Sequence, residues 1–590
     1  MAVTQLQIIQ PGNWFSASII TYQKQQIKLS KKRNQSYFQL GLVIGITIFL
    51  NILGNAFFTH IDLTEDKRFT LAEPTKKMLN EVDDVVYVEV LLEGNFPAGF
   101  KRLQRSVKEL LDDFRSESGG FVDYVFTDPN RGTAENVNLR REKLKKDGIV
   151  PTNLRVKDKE GKSEMLIYPY AKLSYKGRSA VVDFLDEEAG NGNPDQRLNY
   201  SISQLEYAFA NALHKLQTGA KEVIAFTVGH GELNGYERKE LVKALRPYYE
   251  VGTFNLDSAT QVPPEVKVLI VAKPRGPFKD RDKFLLDQYV MGGGKILWLI
   301  DRLNVGLDSL RTSANYIPRD YDLDLDGLFF KYGFRLNPDL VLDLQASHIP
   351  MVIDPTGTQE LFTWFYHPVI VPTTDHVIVK SLDGINLFFP SSIDTIKTKT
   401  EVKKTILLTS SEHSRIQPNI TRLNFEILRY EPDPAKFNKP HIPVALLLEG
   451  RFPSFFENKV SQGMHNMLAQ IGQEFKPVSE PTRMLVVSDG DIARNLYNPA
   501  TGETLPLGRN RFEHHTFDNK DFLLNAVEYL NDDSGIIEAR SKEIKLRLMD
   551  TTKAEQEQTF WQLINIVLPI LFLALFGFIY NFIRKRRFAG

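Results

Sequence analysis

Two long, predominantly apolar runs stand out along this chain of 590 residues. The first is YFQLGLVIGITIFLNILGNAFF at residues 37–58, and the second is FWQLINIVLPILFLALFGFIYNFI at residues 560–583. Neither run contains a charged side chain. Each is long enough, as a helix, to cross the apolar core of a bilayer, which is about 30 Å thick. Because soluble helices rarely continue this far without a charge, we predict two transmembrane helices.

Residues 59–219 show alternating strand and helix patterns between these runs. VVYVEVLL at 85–92 has the composition of a strand, and the apolar residues that follow recur at helical spacing up to Phe114. The series is completed by a strand at FVDYVFTDP, a charged helix near 134–146, two alternating strands joined at YKGRS, and an amphipathic helix ending near Leu216. This order of elements resembles the thioredoxin topology, so we expect a thioredoxin-like α/β domain at 59–219.

A second domain is predicted at residues 220–536 from near-continuous apolar strands that alternate with helices. VIAFTV, VKVLIVA, ILWLID and MLVVSDGD are strands of this kind, which are typical of a parallel sheet covered on both faces. The region 303–481 is less regular, and we expect hairpin-like strands at 376–398 within it. KDFLLNAVEYL at 520–530 predicts the closing helix. The pattern favours an open, doubly wound α/β domain and resembles the class I glutamine amidotransferase-like fold.

Charge and cysteine content narrow the classes of function. The 73 basic residues balance the 73 acidic residues, so no global field attracts nucleic acid, and we expect no nucleic-acid partner. The sequence contains no cysteine, which excludes disulfides, thiolate metal sites and the redox chemistry of thioredoxins. It also excludes the cysteine nucleophile of the amidotransferases. We therefore expect both domains to serve binding.

Local clusters of basic residues predict how the chain is oriented in the membrane. Basic residues at 28–33 precede the first apolar run, and RKRR at 584–587 follows the second. Since basic flanks favour the cytoplasmic side, we expect residues 1–36 and 584–590 in the cytoplasm and both domains outside it. Residues 537–559 form a juxtamembrane segment in this interpretation. The lipid bilayer is thus a predicted partner of the chain.

Polar side chains follow several of the predicted parallel strands. FTVGHGEL places His230 and Glu232 after one strand, ILWLID ends at Asp301, and VVSDGD contains Asp489 and Asp491. In open parallel sheets, ligands bind outside the carboxyl ends of the strands, where these five residues would lie. We predict that they form an edge that contacts a ligand or a partner protein. Two alternatives stay open: a hydrolase centred on His230 and Glu232, or side chains that only cap helices and shape turns.

Common catalytic and nucleotide-binding motifs are absent from the sequence. GGGKI lacks the first glycine of a phosphate-binding loop, where Tyr289 stands, and it lacks the Ser or Thr after the lysine. Neither a zinc-binding H-E-x-x-H nor a G-x-S-x-G serine elbow occurs. We therefore predict that the chain is not an enzyme and that it has no cofactor and no metal site.

Several short motifs, in order between the two anchors, are similar to one family of transport proteins. They are DLTEDKRFTLAEPTKKML, YSISQLEYAFANALHKL, VGHGE, GGGKILWLID, LEGRFPSFF and VVSDGD. The chain resembles the ABC-type auxiliary transport family and, within it, the GldG type of gliding-motility auxiliary protein. The resemblance implies a noncatalytic periplasmic subunit anchored in the bacterial inner membrane, with a separate GldF-like permease and a GldA-like cytoplasmic ATPase as partners. The ligand stays unknown, and a mechanical scaffold of a motility or secretion apparatus is a further alternative.

Overall fold

The computed structural model describes residues 37–51, 70–158, 161–185, 194–219, 221–312, 315–380, 382–419, 421–470, 474–541 and 551–588. The chain divides into two compact units, at residues 1–70 and 71–590. The first unit contains one described helix, α1 (Tyr37–Asn51), which is apolar. All the elements described below belong to the second unit.

The second unit begins with a domain in which a four-stranded sheet packs against helices. Its elements are α2 (Glu73–Asn80), β1 (Val86–Val90), α3 (Ala98–Glu117), β2 (Val122–Phe126), α4 (Ala134–Lys146), β3 (Thr152–Asp158), β4 (Gly161–Ile167), β5 (Tyr170–Tyr175), β6 (Arg178–Asp183) and α5 (Pro194–Thr218). The sheet has the order β2-β1-β5-β6, with β1 parallel to β2 and antiparallel to β5. Alternate residues of β1 and one face of α3 are buried in a common core.

The order of elements in this first domain follows the sequence prediction, with two additions, the helix α2 before β1 and a hairpin after α4. β3 and β4 form a separate antiparallel hairpin. Its sequence, RVKDKEGKSE at 155–164, is too polar to show the alternation of a half-buried strand, and the hairpin was therefore not predicted. The thioredoxin-like fold itself stays a prediction.

The second domain contains most of the remaining elements. They are β7 (Val223–Val228), α6 (Lys239–Leu245), β8 (Glu250–Asn255), β9 (Val266–Ala272), α7 (Asp280–Met291), β10 (Lys295–Leu299), β11 (Leu303–Asn304), α8 (Leu307–Thr312), β12 (Arg319–Asp320), α9 (Asp326–Tyr332), β13 (Phe334–Leu336), β14 (Asp339–Asp343), β15 (Ala346–Val352), β16 (Gln359–Ile370), β17 (Ile385–Asn386), β18 (Ile393–Thr395), β19 (Val402–Thr409), β20 (Ser414–Pro418), β21 (Pro443–Gly450), α10 (Gln462–Gln470), β22 (Thr482–Val487), β23 (Arg509–Asn510), β24 (His515–Thr516) and α11 (Asn519–Asn531).

A seven-stranded sheet forms the centre of the second domain, in the order β19-β21-β22-β10-β9-β7-β8. The five strands from β22 to β8 are parallel, whereas β21 is antiparallel to both of its neighbours. In β9, Val268 and Ile270 pack with α6 and α11, and Leu269 and Val271 pack with α7. The sheet is therefore covered on both faces, as its near-continuous apolar strands predict. The amidotransferase-like fold stays a prediction.

Residues 376–398 do not form the hairpin that the sequence suggested. β17 pairs with β16, and β18 pairs with β13. Because β17 and β18 contain two and three residues, neither is long enough for an alternating pattern to reveal its partner. The longer strands β15 and β16 pair with each other and, with β17, form a three-stranded sheet.

The C-terminal part contains the 3₁₀ helix Ile536–Ser541 and the long helix α12 (Thr551–Phe588). The 3₁₀ helix contributes to the core of the first domain through Ile536, Ile537 and Ala539. The segment predicted as juxtamembrane therefore begins inside a folded domain. Within α12, the 27 residues Phe560–Arg586 are long and apolar enough to cross a membrane. α1 is shorter, and residues 52–58 of the first predicted span lie outside the described residues.

Candidate functional site

The carboxyl ends of four parallel strands bring charged side chains to one edge of the central sheet. β7 leads to His230 and Glu232, and β9 leads to Lys273 and Arg275. β10 leads to Asp301, and β22 leads to the pair of aspartates at 489 and 491. This is the edge at which open parallel sheets bind ligands.

His230 and Glu232 form one buried group with Asp282 of α7. The His230 Nε2 atom lies 3.3 Å from an Asp282 carboxylate oxygen, and Nδ1 lies 3.6 Å from Glu232 Oε1. The imidazole is stacked on the Phe278 ring with the ring centroids 3.9 Å apart. The side chains of His230 and Glu232 are only 4% and 2% exposed. Both side chains are held by contacts within the chain, and neither lines the cleft that opens at this edge of the sheet.

The main chain around His230 is fixed by the same group. The Glu232 carboxylate accepts a hydrogen bond of 2.7 Å from the His230 amide, and the His230 carbonyl accepts bonds from the amides of Arg275 and Gly276. Burial opposes a charge on His230, but the neighbouring carboxylates outweigh this effect and raise its pKa. Burial also opposes ionisation of Glu232, yet its hydrogen bonds with His230 lower the pKa of Glu232. The residues of GHGE thus hold the exit of β7 in place.

Lys273 and the three predicted aspartates form a second group, which we call the Lys273 cluster (Lys273, Asp301, Asp489 and Asp491). The Lys273 ammonium lies 2.5 Å from a carboxylate oxygen of Asp301 and 2.5 Å from one of Asp491. Asp489 accepts backbone hydrogen bonds of 2.8 Å from Phe388 and from Asp491. The four side chains are therefore bonded within the chain.

Protonation states in the Lys273 cluster follow from burial and proximity. Burial disfavours the charge on Lys273, but Asp301 and Asp491 overcome this and raise the pKa of Lys273. Burial, together with the nearby charges of Asp301 and Asp491, raises the pKa of Asp489 well above its usual value. Burial acts in the same direction on Asp491, but Lys273 and Arg494 outweigh it and lower the pKa of Asp491. Burial also raises the pKa of Asp301, although Lys273 opposes this effect, so the charge of Lys273 is balanced chiefly by Asp491.

The three aspartates have oxygens within 4.8 Å of one another, a spacing that could hold a metal ion. The Lys273 ammonium lies between two of these carboxylates and forms an ion pair with each. A divalent ion would have to displace it. Close packing also fixes the lysine, because a Cβ atom added at Gly490 would lie 2.6 Å from Lys273 Cβ and 2.8 Å from its Cα. The residues present therefore fit an ion pair better than a metal site.

Two arginines link the His230 group to the Lys273 cluster. Arg275 donates a hydrogen bond of 2.8 Å to the carbonyl of Gly231 and lies 3.7 Å from the Glu237 carboxylate. Arg494 lies 3.3 Å from the same Glu237 oxygen and 3.5 Å from Asp491. The exit of β7 and the exit of β22 are thus connected by side-chain charges.

A cleft of about 440 Å³ opens beside the Lys273 cluster, and we call it the strand-end cleft. Of the five predicted site residues, Asp491 lines it, together with Lys273. The lining also contains five arginines and three buried polar residues. The arginines are Arg275, Arg311, Arg494, Arg509 and Arg511, and the polar residues are Ser347, His367 and Asn386.

Most of these lining residues were not predicted from the sequence. Lys273 is the first residue after β9 and Asp301 the second after β10, so the rule that selected the aspartates could have selected the lysine. Arg275 and Arg494 could have been found in the same way, three and seven residues after their strands. Ser347 and His367 lie on β15 and β16, outside the central sheet, and no local pattern places those strands beside the cleft.

A comparison with known protein families gives two matches. The profile of a family described as ABC-type uncharacterized transport system matches residues 221–526, and the profile of a domain of unknown function (DUF7088) matches residues 65–174. The first match covers the central sheet and the strand-end cleft. The second covers most of the first domain up to β5.

Comparisons with individual proteins give one relative along nearly the whole chain. An uncharacterized protein of Borreliella burgdorferi is 22% identical over 568 residues, which are 93% of this chain and 97% of that protein. Two solved structures are also similar. The mmIFT52 N-terminal domain has a TM-score of 0.30 at 13% identity, covering 52% of this chain and 97% of that chain. An exo-β-1,4-mannosidase from Opitutaceae bacterium strain TAV5 has a TM-score of 0.16 at 15% identity, covering 38% and 32%. Both scores are too low to support an argument about fold or function.

Proposed function

This chain belongs to the family described as ABC-type uncharacterized transport system, and from this premise we propose that it is a noncatalytic, membrane-anchored accessory subunit of an ABC transporter. The observation that carries the proposal is the family match across residues 221–526. That range contains the whole central sheet, its parallel strand ends and the cleft beside them.

A membrane anchor at α12 supports this function. The 27 residues Phe560–Arg586 are apolar, and their window of highest hydropathy is not buried by the rest of the chain. The basic residues at 584–587 form the C-terminal end of this stretch and the residue after it, and such clusters favour the cytoplasmic side. We propose that residues 37–58 form a second anchor, that both termini are cytoplasmic, and that the two folded domains are periplasmic.

The proposed partners are a separate permease and a separate cytoplasmic ATPase. The chain has no phosphate-binding loop of its own, so the energy of ATP would have to be supplied by another subunit. The order of the short motifs between the two apolar runs favours GldF-like and GldA-like partners and a role in bacterial gliding motility. These finer assignments are supported by the sequence resemblance.

The geometry at the strand ends supports a noncatalytic function. A catalytic acid or base needs access to its substrate. His230 and Glu232 pair with each other and do not line the strand-end cleft, and Asp301 and Asp491 are held in ion pairs with Lys273 at 2.5 Å. These groups therefore support binding and structural roles better than hydrolysis.

Affinity purification from gently solubilised membranes tests the proposal. The full chain carries a tag, and its companions are identified by mass spectrometry. Cells that express the untagged chain, and a tagged, unrelated two-span membrane protein, serve as controls. We expect an ABC permease and an ABC ATPase to be recovered in comparable amounts. Recovery of neither, although the chain itself is intact and folded, would overturn the proposal.

A further inference from the structure

The strand-end cleft combines a basic rim with buried polar atoms that have no partner. We propose that it binds a small organic anion, a solute that carries a carboxylate or phosphate group together with uncharged polar groups such as hydroxyls. This inference rests on the proposed accessory function and deepens it, because it names the chemical class of the ligand. No sequence motif identifies the cleft.

The rim of the cleft carries an excess of positive charge. Its lining contains six basic side chains and two carboxylates, those of Asp308 and Asp491. The Asp491 carboxylate is already paired with Lys273 at 2.5 Å and is further approached by Arg494 at 3.5 Å. Lys273 is paired with Asp301 and Asp491, Arg275 and Arg494 with Glu237, and Arg311 with Asp308, so the excess positive charge comes from the two remaining arginines, Arg509 and Arg511. Unpaired positive charge within a cleft attracts ligands of the opposite charge. An anion is therefore the favoured occupant.

Two of the rim arginines have no carboxylate partner in the described part of the chain. Arg509 of β23 donates to the Thr516 hydroxyl at 3.2 Å, and Arg511 lies over the Phe512 ring at 4.7 Å. Both side chains line the cleft near the turn between β23 and β24. A guanidinium presents a planar fork of donors that matches the two oxygens of a carboxylate or phosphate. These two arginines supply the charge recognition in our proposal.

The floor of the cleft contains three polar atoms that lack a hydrogen-bond partner among the described residues. They are Ser347 Oγ, His367 Nε2 and Asn386 Oδ1, and their residues are 2%, 4% and 2% exposed. Buried polar atoms in native proteins are nearly always bonded, and an unbonded one is unfavourable. Three such atoms on the wall of one cavity therefore point to a ligand that bonds them. Water can occupy these positions in the free chain.

The local backbone explains why these side chains face the cleft. The ladder between β15 and β16 is interrupted between the pair Ala346–Pro368 and the pair His348–Thr363. Ser347 and His367 lie inside this interruption, so their side chains do not follow the regular alternation between the two faces of the sheet. Irregularities of this kind redirect side chains and are frequent beside binding sites. Asn386 follows on β17, the next strand of the same sheet.

The volume of the cleft is consistent with a small molecule. Its volume of about 440 Å³ lies within the range that is usual for sites of small ligands. Arginines at the rim and hydroxyl, imidazole and amide groups on the floor would bond the two ends of one solute. The charged end is placed at Arg509 and Arg511, and the uncharged polar end at Ser347, His367 and Asn386.

Isothermal titration of the purified full-length chain in a nonionic detergent tests this assignment. The probes are citrate and glucose 6-phosphate, with glucose as the uncharged comparison, all at one ionic strength. We expect at least one of the two anions to bind more tightly than glucose. The double variant Arg509→Gln/Arg511→Gln should weaken that binding by about tenfold or more, since each charge-assisted bond is lost. Arg451→Gln, an exposed arginine outside the cleft lining, should leave it unchanged.

A second variant separates binding by the floor from a structural role. Ser347→Ala removes an unbonded buried hydroxyl, so the thermal midpoint of the free chain should stay the same or rise, while affinity for the bound anion falls. The proposal is overturned if neither anion binds more tightly than glucose, or if binding is unchanged in the double arginine variant. It is also overturned if Ser347→Ala lowers the thermal midpoint and leaves affinity intact. Recovery of the transporter subunits with the double variant would show that such a failure concerns the ligand and not the accessory function.

Discussion

Lys215 offers a quantitative test of how burial affects charge in this protein. It lies on α5 in the lining of a cavity of about 660 Å³. Its ammonium nitrogen is enclosed and has no hydrogen-bond partner among the described residues. The ammonium lies 4.0 Å from the centroid of the Tyr248 ring. Burial lowers the pKa of Lys215 from 10.5 to about 8, although the charges of Glu528 and Glu222 oppose this shift.

The expected effect of Lys215→Met follows from these contacts. The pKa shift corresponds to about 3 kcal/mol of unfavourable free energy for the charged lysine at neutral pH. The cation–π contact with the Tyr248 ring offsets part of this unfavourable free energy, by up to about 2 kcal/mol for a desolvated cation. Methionine is unbranched and one atom shorter, so it fills most of the same space and removes the charge. We therefore expect Lys215→Met to raise the free energy of unfolding at pH 7 by about 1–2 kcal/mol.

The stability difference between Lys215→Met and the wild type should also change with pH in one direction. Above pH 8 the folded chain loses the Lys215 proton, whereas the unfolded chain keeps it up to about 10.5. The unfolded state then binds more protons, so the wild-type chain gains stability relative to the variant as pH rises from 8 towards 10.5. The advantage of Lys215→Met should be complete below pH 8 and should shrink across this window.

Thermal and denaturant unfolding, followed by fluorescence at pH 7 and at pH 9.5, measures both effects. Lys108→Met, an exposed lysine paired with Asp112 on α3, is the control and should change stability by less than about 1 kcal/mol. The reasoning is refuted if Lys215→Met destabilises the chain at pH 7. It is also refuted if the difference between the variant and the wild type does not depend on pH.

Three further predictions concern the strand ends and the orientation in the membrane. Gly490→Ala should lower the free energy of unfolding by about 1–3 kcal/mol, because the added Cβ would overlap Lys273, and its thermal midpoint should fall. The control Gly235→Ala, whose Cβ would lie in open space, should have little effect on the midpoint. Lys273→Met should cost about 3–5 kcal/mol, because it leaves buried Asp301 without a cation and Asp491 with Arg494 alone. Urea titrations should show that this loss becomes smaller at acidic pH, where the carboxylates are protonated, and an equal loss at every pH would contradict the ion-pair account. Since the chain has no cysteine, a membrane-impermeant maleimide should label Thr356→Cys but not Arg587→Cys in intact spheroplasts, and labelling of the second variant alone would reverse the proposed orientation.

The strands of the central sheet could be predicted because each one shows its burial in its own run of apolar residues. Near-continuous apolar strands such as β9 and β10 predict burial on both faces, and the structure places them in adjacent, parallel positions. The three-stranded sheet of β15, β16 and β17 was not predicted, although only six residues separate β15 from β16, because Pro350 and Pro368 interrupt the strand pattern and β17 has only two residues. The floor of the strand-end cleft comes from this sheet, so the cleft could not be predicted from the sequence.

The candidate site was predicted in part for the same reason. The rule that polar residues gather at the ends of parallel strands placed Asp301, Asp489 and Asp491 together, and the structure shows this cluster. The rule did not show that Lys273 forms ion pairs with two of them, because the pairing depends on a left-handed backbone at Lys273, with a φ of 52°, and on close contact with Gly490. His230 and Glu232 gather at the same edge, but Phe278 and Asp282 enclose them.

ATP hydrolysis by the complex that is purified through this chain tests the central claim most directly. The tagged full chain is purified from membranes in mild detergent, transferred into lipid nanodiscs, and assayed for magnesium-dependent release of phosphate. An accessory subunit of an ABC transporter should bring an ATPase with it, so we expect hydrolysis well above that of an eluate from untagged cells. An intact, folded chain that brings no hydrolysis and no ATPase subunit would contradict the account.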